Sequence, residues 1–185
     1  MRSRYLGLVL IVPILLLAAP SPAQAKCPSK VLGRDAAGDA SADLDLTALM
    51  ALRCGPDLGV MFFVDEVSLL SPKYSVVHVR WAFDVDDRTF LVEAETTSTS
   101  AFTLYELRES GPELIGSVRG YYDSLNDVIG ISIPMSSVGA TVGSRVSGAD
   151  GFEGEDAIFA VSVGTPIHVV DSLGTRKTFI VPRWR

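Results

Sequence analysis

Regular alternation of apolar and polar residues marks much of the chain after residue 44. Between residues 76 and 85 one side of the predicted strand carries only apolar side chains, and His78, Arg80 and Asp84 occupy the other side. Successive side chains of a strand point to opposite faces, so this pattern predicts a strand with one buried face. Residues 58–64, 128–133 and 156–163 alternate in the same way. Trp81 falls on the apolar side and is predicted to lie in the core.

Turn residues divide these runs into short strands. Gly55-Pro56-Asp57 and Asp86-Asp87 are two such turns. The predicted strands span residues 46–53, 58–64, 76–84, 89–95, 101–108, 113–121, 128–134, 156–163 and 177–181. Residues 26–43 are expected to form a loop, and only residues 68–70 and 136–142 are candidate short helices. The pattern predicts an all-β, two-sheet antiparallel β-sandwich, jelly-roll or immunoglobulin-like, with at most one or two short helices.

The N-terminus has the pattern of a cleavable secretory signal. Arg2 and Arg4 precede an apolar run over residues 6–19, and Ala23-Gln24-Ala25 follows it. The run is shorter than the ~20 residues that span a bilayer. We therefore expect a signal peptide over residues 1–25, a mature single domain over residues 26–185, and a secreted or cell-envelope location without a membrane span.

Composition narrows the partners and the chemistry. The whole chain has a formal net charge of −6, and an acidic surface argues against nucleic acid as a partner. Cys27 and Cys54 are the two cysteines of the chain. In an oxidising compartment they are expected to form a disulfide that ties the N-terminal segment to a sheet.

Four aspartates, Asp35, Asp39, Asp43 and Asp45, lie within eleven residues of a glycine-containing segment. Oxygen ligands in such a loop suit Ca²⁺, although Asp and Gly are also ordinary turn formers. The aspartates near residues 84–87 are read as a hairpin turn, and the acidic residues 150–156 as a solvated loop.

No motif of a known catalytic type is present. The chain lacks G-x-S-x-G, H-E-x-x-H and a P-loop. His78 and His168 lie on different predicted strands, and we expect no enzyme activity. Tyr121 and Tyr122 are adjacent, so at most one of them can point into the core if they lie on a strand. Trp184 lies near the C-terminus.

The order of several short segments resembles that of DOMON-like and carbohydrate-binding-module-family-9-like secreted β-sandwiches. The segments are Asp35-x-x-Gly38-Asp39 with Leu44-Asp45-Leu46-Thr47, residues 58–64, Phe83-Asp-Val-Asp86, Ile131-Ser-Ile-Pro134 with Val138-Gly139, and Val170-Asp171-Ser172. The resemblance implies a jelly-roll sandwich with a structural calcium ion at Asp39 and Asp45, with Asp35 and Asp171 as further ligands.

The same resemblance sets the functional expectations. It implies a non-catalytic ligand-binding module, with carbohydrate as the leading ligand class or a cell-surface protein as the partner. Related sugar-binding modules hold their ligand between tryptophans, and this chain has no evident pair. The alternatives are an envelope interaction domain without a small ligand, a hydrolase, or a haem-binding domain using Met61 or Met135 with His78 or His168.

Overall fold

The computed structural model describes residues 27–36, 38, 45–65, 76–96, 100–149, 157–162 and 167–184. The predicted signal peptide and its cleavage site lie outside these residues. Asp39, Asp43, the candidate helix at residues 68–70 and the acidic residues 150–156 also lie outside them.

Thirteen strands lie within the described residues. They are β1 (Ser29–Arg34), β2 (Leu46–Cys54), β3 (Asp57–Val64), β4 (Val76–Val85), β5 (Arg88–Thr96), β6 (Ser100–Arg108), β7 (Gly111–Ser117), β8 (Arg119–Asp123), β9 (Val128–Pro134), β10 (Arg145–Gly148), β11 (Ala157–Ser162), β12 (Ile167–Leu173) and β13 (Phe179–Ile180).

The strands form two antiparallel sheets that pack as a sandwich, which confirms the predicted fold class. The small sheet has the order β1-β2-β3-β9-β8. The large sheet has the order β12-β11-β4-β5-β6-β7, and β10 extends it by pairing with β4 and β13. β11 and β10 pair with different ends of β4, so both lie along one side of that strand.

The inner faces of the two sheets share one core. Trp81, Phe83 and Phe90 of the large sheet are fully buried in it, as are Leu49 and Phe62 of the small sheet. The rings of Trp81 and Phe83 stack with their centroids 4.5 Å apart. The prediction that Trp81 faces the core is therefore confirmed, and its indole is not available as a binding surface.

The alternating strands were predicted within one or two residues, but the sequence pattern missed three others. Residues 29–34, expected in a loop, form β1, and the chain also forms β10 and β12. β1 has an exposed or half-buried side chain at most positions, and a β-bulge lies between Val31 and Gly33. Because of these two features, apolar and polar residues do not alternate regularly along β1.

The predicted single strand over residues 113–121 is wrong, because these residues belong to both sheets. β7 ends at Ser117 and β8 begins at Arg119, and the two strands lie in different sheets. Val118 joins them, and its N–H donates to the Phe102 carbonyl 3.0 Å away. The register shift opposite Leu104 and Tyr105 precedes this crossing.

The turns follow the predicted chemistry. Gly55 has a φ of 63° in the β2–β3 hairpin, a conformation that glycine adopts without a steric penalty. Asp86 has a φ of 56° in the β4–β5 hairpin, and its carboxylate accepts a hydrogen bond from the Arg145 N–H at 2.9 Å. That bond, together with the Ser144 side chain, lowers the pKa of Asp86 below its usual value.

The candidate helix at residues 136–142 is a single 3₁₀ turn over Met135–Ser137. The part of the chain that the structure describes contains no α-helix. The described residues accordingly contain no helix that is long and apolar enough to cross a membrane.

A disulfide joins Cys27 to Cys54, with the two Cα atoms 4.9 Å apart, which confirms the predicted pairing. Cys54 ends β2, and the Arg53 N–H donates to the Pro28 carbonyl at 2.9 Å. The bridge and this hydrogen bond hold the segment before β1 against the neighbouring strand.

We expect the double substitution Cys27→Ala and Cys54→Ala to lower the free energy of unfolding by about 3 kcal/mol. The two cysteines are 27 residues apart. In the chain-entropy model, closing a loop of that size removes conformational entropy from the unfolded chain, which raises the free energy of unfolding by about 3 kcal/mol. Urea denaturation followed by circular dichroism measures the difference. An unchanged free energy of unfolding would contradict this account of the bridge.

Candidate functional site

The fold brings two of the predicted calcium ligands to one place between the sheets. Asp45 immediately precedes β2 of the small sheet, and Asp171 lies on β12 of the large sheet. The Asp171 carboxylate accepts hydrogen bonds from the Leu46 N–H at 2.5 Å and from the Ser172 N–H at 2.8 Å. The Asp171 side chain thus reaches across to the residue that follows Asp45.

Asp45 is fully buried, and one of its carboxylate oxygens lacks a partner. Oδ2 accepts a hydrogen bond from the Gly38 N–H, whereas Oδ1 has no hydrogen-bond partner among the described residues. A buried carboxylate oxygen without a partner costs free energy, because it has lost its water without replacement. A positive charge placed next to this atom would offset that cost.

Asp35 is exposed and lies at the end of β1. Its N–H donates to the Thr47 carbonyl at 2.9 Å, and its carboxylate accepts from the Ala36 N–H at 2.8 Å. Asp39 lies outside the described residues. Within the described part, Asp35, Asp45 and Asp171 do not bring three carboxylates within 4.8 Å of one another.

A second candidate site lies on the outer face of the small sheet. One row of directly paired residues crosses all five strands and is apolar throughout. In order from β1 to β8, this apolar row consists of Val31, Met50, Met61, Gly130 and Tyr121. The first three side chains are half-buried, and Tyr121 is 50 % exposed.

Gly130 holds the Tyr121 ring close to the sheet. A Cβ atom on Gly130 would overlap the Tyr121 ring, so the absence of a side chain lets the ring lie against the backbone of β9. The neighbouring row repeats this arrangement, because Leu52 lies over Gly59. Tyr121 and Leu52 therefore occupy the space above these two glycines on the outer face of the small sheet.

Polar side chains border the Tyr121 ring on one side. Arg119 lies two residues before Tyr121 on β8, and its guanidinium forms an ion pair with Asp57. The same Asp57 oxygen accepts a hydrogen bond from the Ser132 hydroxyl at 2.8 Å. Arg119 is 81 % exposed along its side chain, so its donors remain accessible from solvent.

The other aromatic candidates lie elsewhere. Tyr122 faces inward, as the neighbouring positions of Tyr121 and Tyr122 require; its ring packs 5.4 Å from that of Phe102, and its hydroxyl accepts a hydrogen bond from Thr96. Burial raises the pKa of the Tyr122 hydroxyl above its usual value. Trp184 is 37 % exposed near the C-terminus.

The large sheet carries a polar cluster that the sequence pattern did not reveal. His78 on β4 is 94 % buried, although it points away from the core. Its Nδ1 lies 2.7 Å from Glu93 Oε1 on β5, and Arg80 donates to the same oxygen. The only sequence signal was the placement of His78 and Arg80 at alternate positions; their partner depends on the register of β5.

Of the Met–His pairs proposed for haem, Met61 and His78 lie on opposite sides of the core. Met61 is on the outer face of the small sheet and His78 on the outer face of the large sheet, with the core between them. Met135 is buried. β11 separates the strands that carry His78 and His168.

No protein-family model, curated protein or solved structure matches this chain. The resemblance to DOMON-like and family-9-like modules therefore remains an expectation drawn from the sequence, and the functional assignment depends on the geometry above.

Gly120 and Gly130 lie next to aromatic rings on opposite faces of the small sheet, and we expect different costs when each is changed to Ala. A Cβ on Gly120 would come within 2.6 Å of Phe102 Cγ, at the base of a half-buried ring. Overpacking of this kind costs about 1–3 kcal/mol. A Cβ on Gly130 would meet the far end of Tyr121, whose exposed ring can swing into solvent.

Thermal and urea unfolding of the two variants should therefore show clear destabilisation for Gly120→Ala and a small change for Gly130→Ala. Equal costs would mean that the Tyr121 ring is as constrained as the Phe102 ring.

Proposed function

We propose that this chain is a secreted, non-catalytic β-sandwich module that binds carbohydrate on the outer face of the small sheet, around Tyr121. The observation that carries the proposal is a half-exposed aromatic ring that lies against a glycine, beside an accessible guanidinium and a carboxylate. Export is proposed from the N-terminal sequence and is compatible with the Cys27–Cys54 disulfide, since such bridges persist in oxidising compartments.

The Tyr121 surface has the two properties that recognition of a sugar requires. An aromatic face offers an apolar plane against which the C–H groups of a pyranose can pack. Arg119, Asp57 and Ser132 supply donors and acceptors at the edge of that plane. Because the β-sheet backbone holds Gly130 and Tyr121 in register, little ordering is needed when a ligand binds.

The apolar row extends this surface toward β1. Met61 pairs directly with Gly130 and Met50 pairs with Met61, and both methionine side chains are half-buried. Their thioether side chains adapt in shape and suit an apolar contact. We therefore propose that several sugar units of a chain lie along the row, with Tyr121 providing the main contact.

We also propose a structural calcium ion at Asp45. The unpartnered, fully buried Asp45 Oδ1 fits such an ion, and Ca²⁺ prefers carboxylate and carbonyl oxygens. Asp171, Asp39 and Asp35 are the further candidate ligands. Water and backbone carbonyls would complete the 6–8 oxygens that Ca²⁺ takes. Asp171 belongs to the other sheet, so the ion would link the two layers.

The main alternative is an envelope interaction domain in which the same apolar row contacts a protein. An exposed apolar surface is compatible with either use. The two alternatives predict different ligands for Tyr121, and binding measurements separate them.

We expect an array of glycans and soluble polysaccharides to give at least one carbohydrate that the purified protein binds. Titration calorimetry should then show that Tyr121→Ala weakens binding of that carbohydrate at least tenfold, about 1.4 kcal/mol, because the ring supplies the main contact surface. Gly130→Ala should also weaken it, because the added methyl group displaces the Tyr121 ring.

The matched control is Leu114→Ala, which removes a side chain that is 63 % exposed on the large sheet. It should leave carbohydrate affinity unchanged. Loss of binding in Leu114→Ala but not in Tyr121→Ala would move the site to the other sheet. If no carbohydrate binds, the proposal is wrong, and sedimentation of the protein with and without Tyr121→Ala then tests the interaction alternative.

We expect Ca²⁺ to raise the melting temperature of the protein and a chelator to lower it. A ligand present at a hundred times its dissociation constant adds about 2.7 kcal/mol to stability, which corresponds to about 5–10 °C for a domain of this size. Differential scanning calorimetry with and without Ca²⁺ measures the shift.

Asp45→Asn should abolish the calcium-dependent part of the shift, whatever its effect on the baseline stability. Asp87→Asn is the control, because Asp87 is an exposed carboxylate in the β4–β5 turn, and it should keep the full shift. A melting temperature insensitive to Ca²⁺, or a shift that survives Asp45→Asn, would exclude the assigned site.

A further inference from the structure

Three side chains capable of binding a metal converge on the outer face of the large sheet. His78 on β4 pairs directly with Glu95 on β5, and Arg80 pairs directly with Glu93. Each of His78, Glu93 and Glu95 offers one ligand atom, and these atoms lie within 4.8 Å of one another. The grouping of His78, Glu93 and Glu95 therefore depends on the antiparallel pairing of β4 with β5, and the buried inner faces of these strands fix its register.

The two central side chains are buried although they point away from the core. His78 is 6 % exposed and Glu93 is 8 % exposed. The residues that pair with the three groups in the flanking strands are small. Ala160 of β11 pairs with His78, and Thr103 and Ala101 of β6 pair with Glu93 and Glu95. The strands on either side thus place no large side chain beside the three ligating groups at those positions.

The charges of the cluster favour a cation. Arg80 Nε and a terminal guanidinium nitrogen both lie 2.7 Å from Glu93 Oε1, so this guanidinium neutralises one of the two carboxylates. Within the described part of the chain, no ion pair neutralises Glu95. With a neutral imidazole, the cluster carries an excess negative charge next to buried groups, and a bound cation would offset it.

We propose that His78, Glu93 and Glu95 form a binding site for a divalent transition-metal ion of the Zn²⁺ class. One imidazole and two carboxylates are donors that suit Zn²⁺, whereas Ca²⁺ prefers oxygen ligands alone. Three protein ligands leave a coordination position open for water or a ligand.

The distances are compatible with this assignment. Ligand atoms around a tetrahedral Zn²⁺ are about 3.4 Å apart when each bond is about 2.0–2.1 Å. The cluster has one pair at 2.7 Å, the His78–Glu93 hydrogen bond, and the remaining pairs reach no more than 4.8 Å. Small movements of the Glu side chains therefore suffice, with the strands unchanged.

Arg80 is assigned as a positioning residue. A carboxylate that binds a metal is commonly hydrogen-bonded by an outer group, which fixes its orientation. Arg80 provides two such contacts to Glu93 and is itself mostly buried, with 19 % of its side chain exposed. This role is distinct from metal ligation, because a guanidinium has no free electron pair to donate.

The proposed zinc site is independent of the carbohydrate and calcium proposals. It lies on the outer face of the large sheet, whereas Tyr121 lies on the outer face of the small sheet. Asp45 precedes β2, and its donors are oxygens alone. Substitutions at the Tyr121 surface, at Asp45 or at the His78–Glu93–Glu95 cluster therefore leave the residues proposed for the other two sites unchanged.

The test is titration of the chelator-treated protein with ZnCl₂ by calorimetry and with CoCl₂ by visible absorption. We expect one saturable site, with a Co²⁺ spectrum of low coordination number. His78→Ala and Glu95→Gln should each weaken Zn²⁺ binding at least tenfold. Glu95→Gln keeps the size of a half-buried side chain, so it tests the ligand if His78→Ala impairs folding.

Two controls locate the effect. His168→Ala removes the other histidine of the chain and should retain Zn²⁺ affinity, and Asp45→Asn should retain it as well. Absence of saturable Zn²⁺ binding in the unsubstituted protein would overturn the proposal. Undiminished affinity in folded Glu95→Gln and His78→Ala, or loss of binding in His168→Ala, would overturn it too.

Discussion

Burial of one face of each sheet against the other constrains every other feature of this molecule. Trp81 and Phe83 of the large sheet meet a small-sheet face that includes Leu49 and Phe62, and all four are fully buried. A shift of one residue in the pairing of any of these strands would turn its apolar side chains outward. The core therefore holds the strand registers, and those registers bring residues far apart in sequence together on the outer faces.

The outer faces use this fixed register in different ways. On the small sheet, Gly59 and Gly130 remove side chains at adjacent positions, and Leu52 and Tyr121 lie in the space that this leaves. The resulting surface presents the Tyr121 ring and apolar side chains, with the Arg119–Asp57 ion pair beside them. On the large sheet, the outward-pointing His78 and Arg80 of β4 both contact the carboxylate of Glu93 on β5, and His78 and Glu93 are buried. One face thus suits ring stacking, and the other suits a small cation.

Period-two alternation was sufficient to predict the sandwich and most strands, because a half-buried strand must place apolar residues at every second position. It failed where that condition does not hold. Most positions of β1 are exposed or half-buried and a β-bulge interrupts its pairing, and the segment over residues 113–121 changes sheets at Val118. The rule assumes that a strand stays in one sheet, so a crossing inside an otherwise strand-like segment cannot be recognised from alternation alone.

Features that lie close together in the sequence could be predicted, whereas contacts between paired strands could not. Asp45 was identified because its carboxylate lies in an acidic segment of the sequence, and the pairing of Cys27 with Cys54 required only that two cysteines occur in one oxidising compartment. The His78–Glu93 contact and the Tyr121–Gly130 contact depend on which residues face each other across strands. Alternation specifies a face of a strand, not its partner.

The location of Asp45 links the stability of the sandwich to its acidic segment. The carboxylate of Asp171 in the large sheet accepts a hydrogen bond from the N–H of Leu46 in the small sheet. The hydrogen bond therefore joins the two layers where Asp45 has a buried oxygen without a partner. A cation at that oxygen would draw both carboxylates toward a shared charge and strengthen the contact between layers. Such an ion would act on the packing of the sheets, whereas the residues proposed to bind carbohydrate and Zn²⁺ lie on the outer faces of the sheets.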